Sequence, residues 1–459
     1  MALWNKGNKE PFAESAANEN TASKVYVSFD NLLHKTQSHM AETYGERLFE
    51  LDRTTIENYI RQYIQSEKIY VKEGSADRSL NDLVSALYGE MAEYSVITPY
   101  LKRDDVEEIN INAWNDIQII PSHGETYKLK DSFRSPEHAF DTVRRLLRNS
   151  KSLLDSSRPI STGFIGKNIR VTAISNDIVG SEAGVAASIR IVNAKKLTKE
   201  DFFRNGTCTV DMYDFLSTCF IGGISECFAG ETGSGKTTIM ADIMSNYPIN
   251  RRLITIEKSV REFDLVKRDE HGKVINNVLH LVTRESDDKN KCVTMNDLLT
   301  TSLTMDPDAI CVAEMKNEEA WAAQEAARTG HAVLTTTHAG SAHGVYTRLA
   351  TLCLQAYSNI PYDVLIRLVC EAFPIAIYQH KLDDGVRRVT EIAECIYNDG
   401  DYKTIPIYKY QISRKYKDTD TGKYVIEGDF VKKNNISNGL RNRLLQNGVD
   451  EITLNRFIS

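Results

Sequence analysis

The segment Gly230-Glu231-Thr232-Gly233-Ser234-Gly235-Lys236-Thr237-Thr238 has the residue types and spacing needed to wrap a chain of phosphates. Its glycines reach backbone conformations closed to residues with a Cβ, so several N–H groups can converge on phosphate oxygens. They converge at the positive end of the helix for which Thr238-Ile-Met-Ala-Asp-Ile-Met-Ser245 is spaced. Lys236 is placed to reach the outer phosphates, and Thr237 offers a hydroxyl to Mg²⁺. The apolar run Cys227-Phe-Ala229 supplies the strand that leads in. A glycine-rich helix cap would not need this flanking pattern, so the segment is expected to bind a nucleotide. Taken alone, it does not separate a hydrolase from a kinase or a switch.

Cleavage of a triphosphate needs a carboxylate near the metal and another to orient or deprotonate water. Two apolar runs end in one: Arg251-Arg-Leu-Ile-Thr-Ile-Glu257 and Ala309-Ile-Cys-Val-Ala-Glu314. Each reads as a buried parallel strand that delivers an acid at its C-terminal edge. Glu314 ends the cleaner strand and is assigned to the water. Glu257 in isolation reads as a solvated strand end; beside the P-loop it is assigned to the metal. A third run, Gly330-His-Ala-Val-Leu-Thr-Thr-Thr-His-Ala-Gly-Ser341, is a strand with a histidine at each end. His331 and His338 are an odd number of positions apart, face opposite sides, and cannot share one metal ion. His338 is suited to sense the γ-phosphate, the alternative being a buried ring satisfied by backbone.

The elements that must position these groups belong to an ordinary globular chain of 459 residues, 41% hydrophobic and 26% charged, enough for two or three domains. A formal net charge of -7 argues against sequence-independent nucleic-acid binding by the whole chain and leaves a local basic groove open. Arg144, Arg145, Arg148 and Lys151 form one basic cluster, and a solvated helix face accounts for it better than a DNA contact. There is no run of eighteen apolar residues, and Met1-Ala-Leu-Trp-Asn-Lys-Gly7 lacks an apolar signal core, so a cytosolic location is expected. The eight cysteines never fall in a Cys-x-x-Cys pair, which indicates neither zinc nor a disulfide framework.

Residues 1–25 are polar and suggest a disordered arm. Helical spacing from Met40 to Ile69 and again from Leu80 to Tyr94 defines a helical extension over 26–100. Strands at 105–112, 116–120, 169–174 and 187–192, with an amphipathic helix from Pro136 to Arg148, imply an α+β domain over 101–195. A polar linker over 196–206 joins it to an α/β domain over 207–459. Within the latter, the stretch after Tyr410, with Leu440 and Leu444, is expected to cover the core rather than dock a partner.

The P-loop, Glu257, Glu314 and the Gly-His...Thr-x-His box, in this order and spacing, resemble the secretion ATPase superfamily of type II and type IV secretion and type IV pili. Ala187-Ser-Ile-Arg-Ile-Val192, Thr336-Thr-His-Ala-Gly-Ser341 and Gly385-Val-Arg-Arg-Val-Thr-Glu-Ile392 are similar to its CpaF-like, conjugation-type branch. The resemblance implies a RecA-like P-loop domain over 207–459. It implies that ATP and Mg²⁺ are held by Lys236 and Thr237, with Glu257 in an acidic box, Glu314 catalytic, and His331 and His338 in a histidine box. Arg170 and Arg190 match arginines directed at the nucleotide from the preceding domain. It further implies a homohexameric ring at the cytoplasmic membrane face, working on inner-membrane platform proteins, and no zinc. The chain departs from the pattern where Lys258 follows Glu257 in place of Asp, with Glu262 nearby. It also carries Thr304, Asp306, Ala309, Ala313 and Lys316 where the family favours arginines and a glycine. Lysine does not reproduce the bidentate fork of arginine, so slow turnover is expected.

Overall fold

The computed structural model of the chain describes residues 24–44, 53–73, 76–92, 94–121, 125–148, 152–165, 169–191, 197–258, 261–284, 288–398 and 400–458. Three helices open it: α1 (Phe29–Tyr44), α2 (Arg53–Ser66) and α3 (Leu80–Ala92). Ile56, Ile60 and Ile64 recur every four residues on α2, so they form one stripe, and they pack with Leu32, Leu33, Met40, Leu83, Val84 and Leu87. Of the helical run expected from Met40 to Ile69, Met40–Tyr44 lies on α1 and Arg53–Ser66 on α2, residues 45–52 lie outside the described residues, and Ile69 belongs to a strand. That strand, β2 (Ile69–Tyr70), pairs in parallel with β1 (Val25–Tyr26), so Val25, expected in the disordered arm, belongs to a strand; residues 1–23 lie outside the described residues. A short hairpin, β3 (Lys72–Glu73) with β4 (Ala76–Asp77), leads into α3.

The second unit follows a single turn, α4 (Thr98–Leu101). Its strands are β5 (Val106–Ala113), β6 (Asp116–Pro121), β7 (Tyr127–Lys128), β8 (Ile160–Ile165), β9 (Ile169–Ser175) and β10 (Val185–Ile191). They form an antiparallel sheet in the order β7-β6-β5-β10-β9-β8. Alternation buries Ile109, Ile111, Val171, Ala173 and Ile189 on one face, where they meet Ala139, Val143, Leu146 and Leu147 of α5 (Pro136–Arg148). The basic cluster on α5 is not uniformly solvated. Arg145 is half-buried and donates to the Glu90 carbonyl at 2.9 Å, and burial pulls its pKa below the usual arginine range. Lys151 lies outside the described residues.

A turn of helix, α6 (Asn176–Val179), joins β9 to β10. The linker expected over 196–206 instead contains a capped helix, α7 (Lys199–Arg204). Thr198 and Asp201 form its capping box and Phe202 packs into the next core.

The third unit opens with α8 (Val210–Ile221), β11 (Glu226–Ala229), α9 (Lys236–Ser245), β12 (Leu253–Glu257), β13 (Val278–Val282) and α10 (Met295–Ser302). It continues with β14 (Ala309–Val312), α11 (Glu319–Arg328), β15 (Ala332–Thr337), α12 (Gly344–Ala356), α13 (Tyr362–Ala372) and β16 (Ile375–Lys381). The strand order is β13-β12-β14-β15-β11-β16, all parallel, which puts the P-loop strand between β15 and β16. This is a RecA-like sheet. Because β-strand side chains alternate, Phe228 points to a core shared with α8 and α9, while Cys227 and Ala229 point to one shared with α10 to α13.

Three antiparallel strands extend the sheet beyond β16: β17 (Arg387–Asn398), β18 (Asp401–Lys417) and β19 (Tyr424–Lys432). The last helices, α14 (Asn438–Gln446) and α15 (Glu451–Ile458), return to the α8 face, where Leu440, Leu444, Leu454 and Phe457 are buried. The tail thus covers the core, as its leucines led us to expect.

Candidate nucleotide site

The P-loop connects β11 to α9 at the C-terminal edge of the parallel strands, where open α/β sheets bind ligands. Gly230 has φ +150, and a Cβ there would stand 2.0 Å from the Gln379 carbonyl oxygen. A register shift in the β16–β17 ladder at Tyr378/Gln379 accompanies that close approach. Gly235, at φ +92, is the N-cap of α9, and the first helical turn after it leaves backbone N–H groups without intrahelical partners.

The Ser234 hydroxyl is fully buried and has no hydrogen-bond partner among the described residues. An orphaned donor inside a glycine cradle fits a phosphate ligand. Thr237 is half-buried in the first helical turn; Glu231, Thr232 and Thr238 are exposed around the rim. Lys236 is 7% exposed and its Nζ donates to the Gly230 and Glu231 carbonyls, each at 2.8 Å. Burial pulls its pKa below the usual lysine range, Glu314 opposes that shift, and Lys316 and Arg190 add to it.

One of those neighbours, Glu314, is tied to the P-loop. Glu314 lies just past β14, and the flanking backbone keeps pairing on both sides, Ala313 N–H to the Ile256 carbonyl and Met315 N–H to that of Thr336. The Thr336 and Thr337 hydroxyls donate to the Ala313 and Met315 carbonyls at 2.8 and 3.1 Å, so the turn is fixed by β15. One Glu314 oxygen is 2.8 Å from His338 Nε2 and the other 2.9 Å from Lys316 Nζ. His338 Nδ1 is 3.1 Å from the Gly230 carbonyl oxygen. The acid, the imidazole and the P-loop are therefore one connected unit.

Not every expected residue joins it. His331 lies at the opposite, N-terminal end of β15, about 20 Å away at strand rise. Its backbone N–H donates to the Ala326 carbonyl at 3.2 Å and its Nδ1 meets the same oxygen, which makes it a helix-end cap and removes it from the nucleotide site within this chain.

Glu257 ends β12 at 1% exposure, with one carboxylate oxygen accepting from the Glu262 and Phe263 amides. The other oxygen lies 3.4 Å from Thr255 Oγ1 and 3.9 Å from His280 Nδ1. Burial pushes its carboxyl up to about 7 against the downward pull of those amides. One oxygen anchors the following loop, and among the described residues these contacts do not include the P-loop. Among the described residues no cluster of three or more His, Cys, Asp or Glu could hold a metal ion.

Arg170 and Arg190 are cross-strand partners, both exposed, on the α+β sheet. Like charges directly opposite each other repel, so the pair suits an anion. Four residues escaped the sequence reading as members of this site. Lys316 stands out only as a departure from the family pattern and Arg387 only as part of the branch-like phrase Gly385–Ile392, whereas Gln379 and Glu107 carry no motif. Arg387 donates to the P-loop carbonyl of Gly233 at 2.8 Å and is ion-paired to Glu107 at 3.1 Å.

The strand order and the P-loop at the edge of its central strand define the class: a RecA-like P-loop NTPase. Residues 168–395, just under half of the chain, match the family model described as Type II/IV secretion system protein, so within that class the chain is similar to the secretion ATPases. It is 35% identical over 171 residues to the type IV secretion system protein VirB11 of Brucella suis, covering 36% of this chain and 45% of that protein. It is 32% identical over 192 residues to the type IV secretion system protein PtlH of Bordetella pertussis, covering 41% and 54%. The chain thus spans about half the length of the curated relatives it matches.

Among solved structures it is similar to the VirB11 ATPase of the Brucella suis type IV secretion system in complex with sulphate. That match has 25% identity over 66% of this chain and 95% of that one, with a TM-score of 0.34. No helix among the described residues is long and apolar enough to cross a membrane.

Proposed function

We propose that this chain is an ATP-hydrolysing motor for a type IV secretion, conjugation or Tad/Flp-type pilus machine, acting as a hexameric ring at the cytoplasmic membrane face. The observation that carries the reading is the Glu314–His338–Gly230 connection, which fixes an acid beside the loop that would hold the γ-phosphate. Lys236 exchanges its two carbonyl partners for phosphate oxygens, and the loop amides and Ser234 take the remaining phosphate acceptors. Bound Mg²⁺ would supply charge neutralisation on the phosphates, and Thr237 is the residue placed to hold it. Glu314 orients or deprotonates the attacking water while His338 keeps it aimed. Arg170 and Arg190 approach the phosphates from the α+β domain, so binding and cleavage move one domain against the other. Inner-membrane platform proteins of a secretion or pilus system are the partners this motion would drive.

A steady-state phosphate-release assay on the full chain tests the reading. Glu314→Gln is expected to bind Mg-ATP and to lower kcat by about 10² or more, the usual loss on removing a general base. Wild-type turnover in that variant would remove Glu314 from the mechanism. A second reading, a nucleotide-gated assembly scaffold with weak hydrolysis, draws on the Lys316–Glu314 pair, which occupies one oxygen of the acid. A chain that binds ATP but releases no phosphate, with or without membrane partners, favours the scaffold. Salt-sensitive stimulation by DNA would favour a conjugation motor.

A further inference from the structure

One irregularity in the α+β sheet brings a pair of side chains together across the domain boundary. In the α+β sheet Val106 pairs with Pro121 and Glu108 with Ile120, so Glu107 is an extra residue bulged out of the ladder. A bulge re-aims the side chain it carries. Glu107 is thereby turned towards Arg387, the first residue of β17, whose Nη2 lies 3.1 and 3.3 Å from its two carboxylate oxygens. The Nε of the same guanidinium donates to the Gly233 carbonyl at 2.8 Å. Gly235 leaves room for this, because a Cβ there would stand 3.3 Å from Arg387 Cδ. One planar cation therefore ties the P-loop to the first strand of the preceding sheet. The rigid fork of arginine can bridge both partners at once, which a lysine ammonium on a flexible stem does poorly.

We propose that Arg387 is a positioning residue that couples the P-loop to the α+β domain through Glu107. The inference rests on the ATPase reading above and assigns that site its link between loop and domain. Arg190 lies on β10, in register with Glu108, the neighbour of Glu107 on β5. Holding Glu107 therefore holds the sheet that presents Arg170 and Arg190 to the phosphates. The coupling works in both directions, as linkage requires. A loop that reshapes around phosphates alters its bond to Arg387 and shifts the grip on Glu107. Loss of the grip on Glu107 frees the arginines and weakens nucleotide binding while the Glu314 chemistry is left alone.

The test measures Mg-ATP affinity by calorimetry and steady-state hydrolysis on the full chain for wild type, Glu107→Gln, Arg387→Gln and the double variant. Glu107→Gln is expected to raise Kd and KM by about threefold to fivefold, the scale of a half-exposed ion pair. Its kcat is expected to stay unchanged. Arg387→Gln also loses the charged bond to Gly233 and is expected to raise KM about tenfold. The double variant should be no worse than Arg387→Gln alone, because the acid then has no partner left to lose. Wild-type constants in Glu107→Gln, or additive losses in the double variant, overturn the coupling. Failure of the wild-type chain to bind Mg-ATP would instead sink the ATPase reading beneath it.

Discussion

His338 Nε2 stands 2.8 Å from a carboxylate oxygen of Glu314, and the other ring nitrogen faces the Gly230 carbonyl oxygen at 3.1 Å. Both neighbours are acceptors, so the ring bonds both only when it presents two N–H groups. His338 then acts as a strut that sets the distance between the acid and the phosphate loop. Replacing it with glutamine keeps a polar group but cannot reach both partners in line. His338→Gln is expected to lower kcat by about tenfold, the scale of losing one hydrogen bond to a charged group. Phosphate release at saturating Mg-ATP checks this, with calorimetry expected to show nearly unchanged affinity. A loss confined to affinity would make His338 a binding group instead.

Arg190 shows the opposite division. Its place opposite Arg170 gives it no favourable partner on that strand, while its charge reaches Lys236. Arg190→Gln is expected to raise KM for Mg-ATP about tenfold by removing one charge-assisted phosphate contact. The melting temperature should change little, because relief of the like-charge pair with Arg170 offsets loss of the opposite-charge neighbour Glu108. A lower melting temperature with unchanged KM would mean that Arg190 serves the fold.

Glu226 is fully buried on the P-loop strand, and neither carboxylate oxygen has a partner among the described residues. Burial raises its pKa well above the usual carboxylate range. The folded state therefore keeps a proton that the unfolded chain releases, and stability falls as pH rises above the ordinary glutamate value. Glu226→Met conserves volume and removes the orphaned polar atoms, for an expected gain of about 1–3 kcal/mol. Denaturant melts should show a larger gain at pH 8 than at pH 5; equal gains would mean that the carboxyl finds a partner.

Glu257 gives a second slope with a defined window. Its carboxyl is pushed from 4.5 up to about 7, so the stability it contributes is complete below 4.5 and is lost as pH climbs through 7. The loss amounts to roughly 3 kcal/mol if the whole shift is realised. Glu257→Gln keeps an acceptor for the Glu262 and Phe263 amides and should flatten the pH dependence of unfolding between pH 5 and 8. An unchanged slope would show that the group is solvated. If the acid instead serves the metal, this variant would lose activity without any change in slope.

Much of the site was legible because local rules govern it. The glycines, Lys236 and Thr237 act within a single turn, and the helix Pro136–Arg148 was read to its final residue because its apolar stripe is complete. Glu314 and His338 were legible as strand ends, but their contact was not, since nothing local places β14 beside β15. The same limit hid the local contacts of Glu257 and His331. A strand-end acid has the same sequence whether it faces a ligand or folds back onto amides, and a histidine at a strand's start reads like one at its end. The strands β18 and β19 were missed because a two-faced, exposed ribbon of Lys, Tyr and Asp lacks the one-sided alternation that marks a strand.

The sequence by itself determined the phosphate loop and the run of buried parallel strands behind it. Each is encoded in residues close together in the chain, where backbone freedom and side-chain period decide. Only the tertiary structure decided which acid faces the loop, which histidine supports it, and that Arg387 meets Glu107 from 280 positions away. Such pairings are set by the order of strands in two sheets and by a bulge in one. A linear pattern does not carry that information, because residue types alone do not say which strand edges become neighbours.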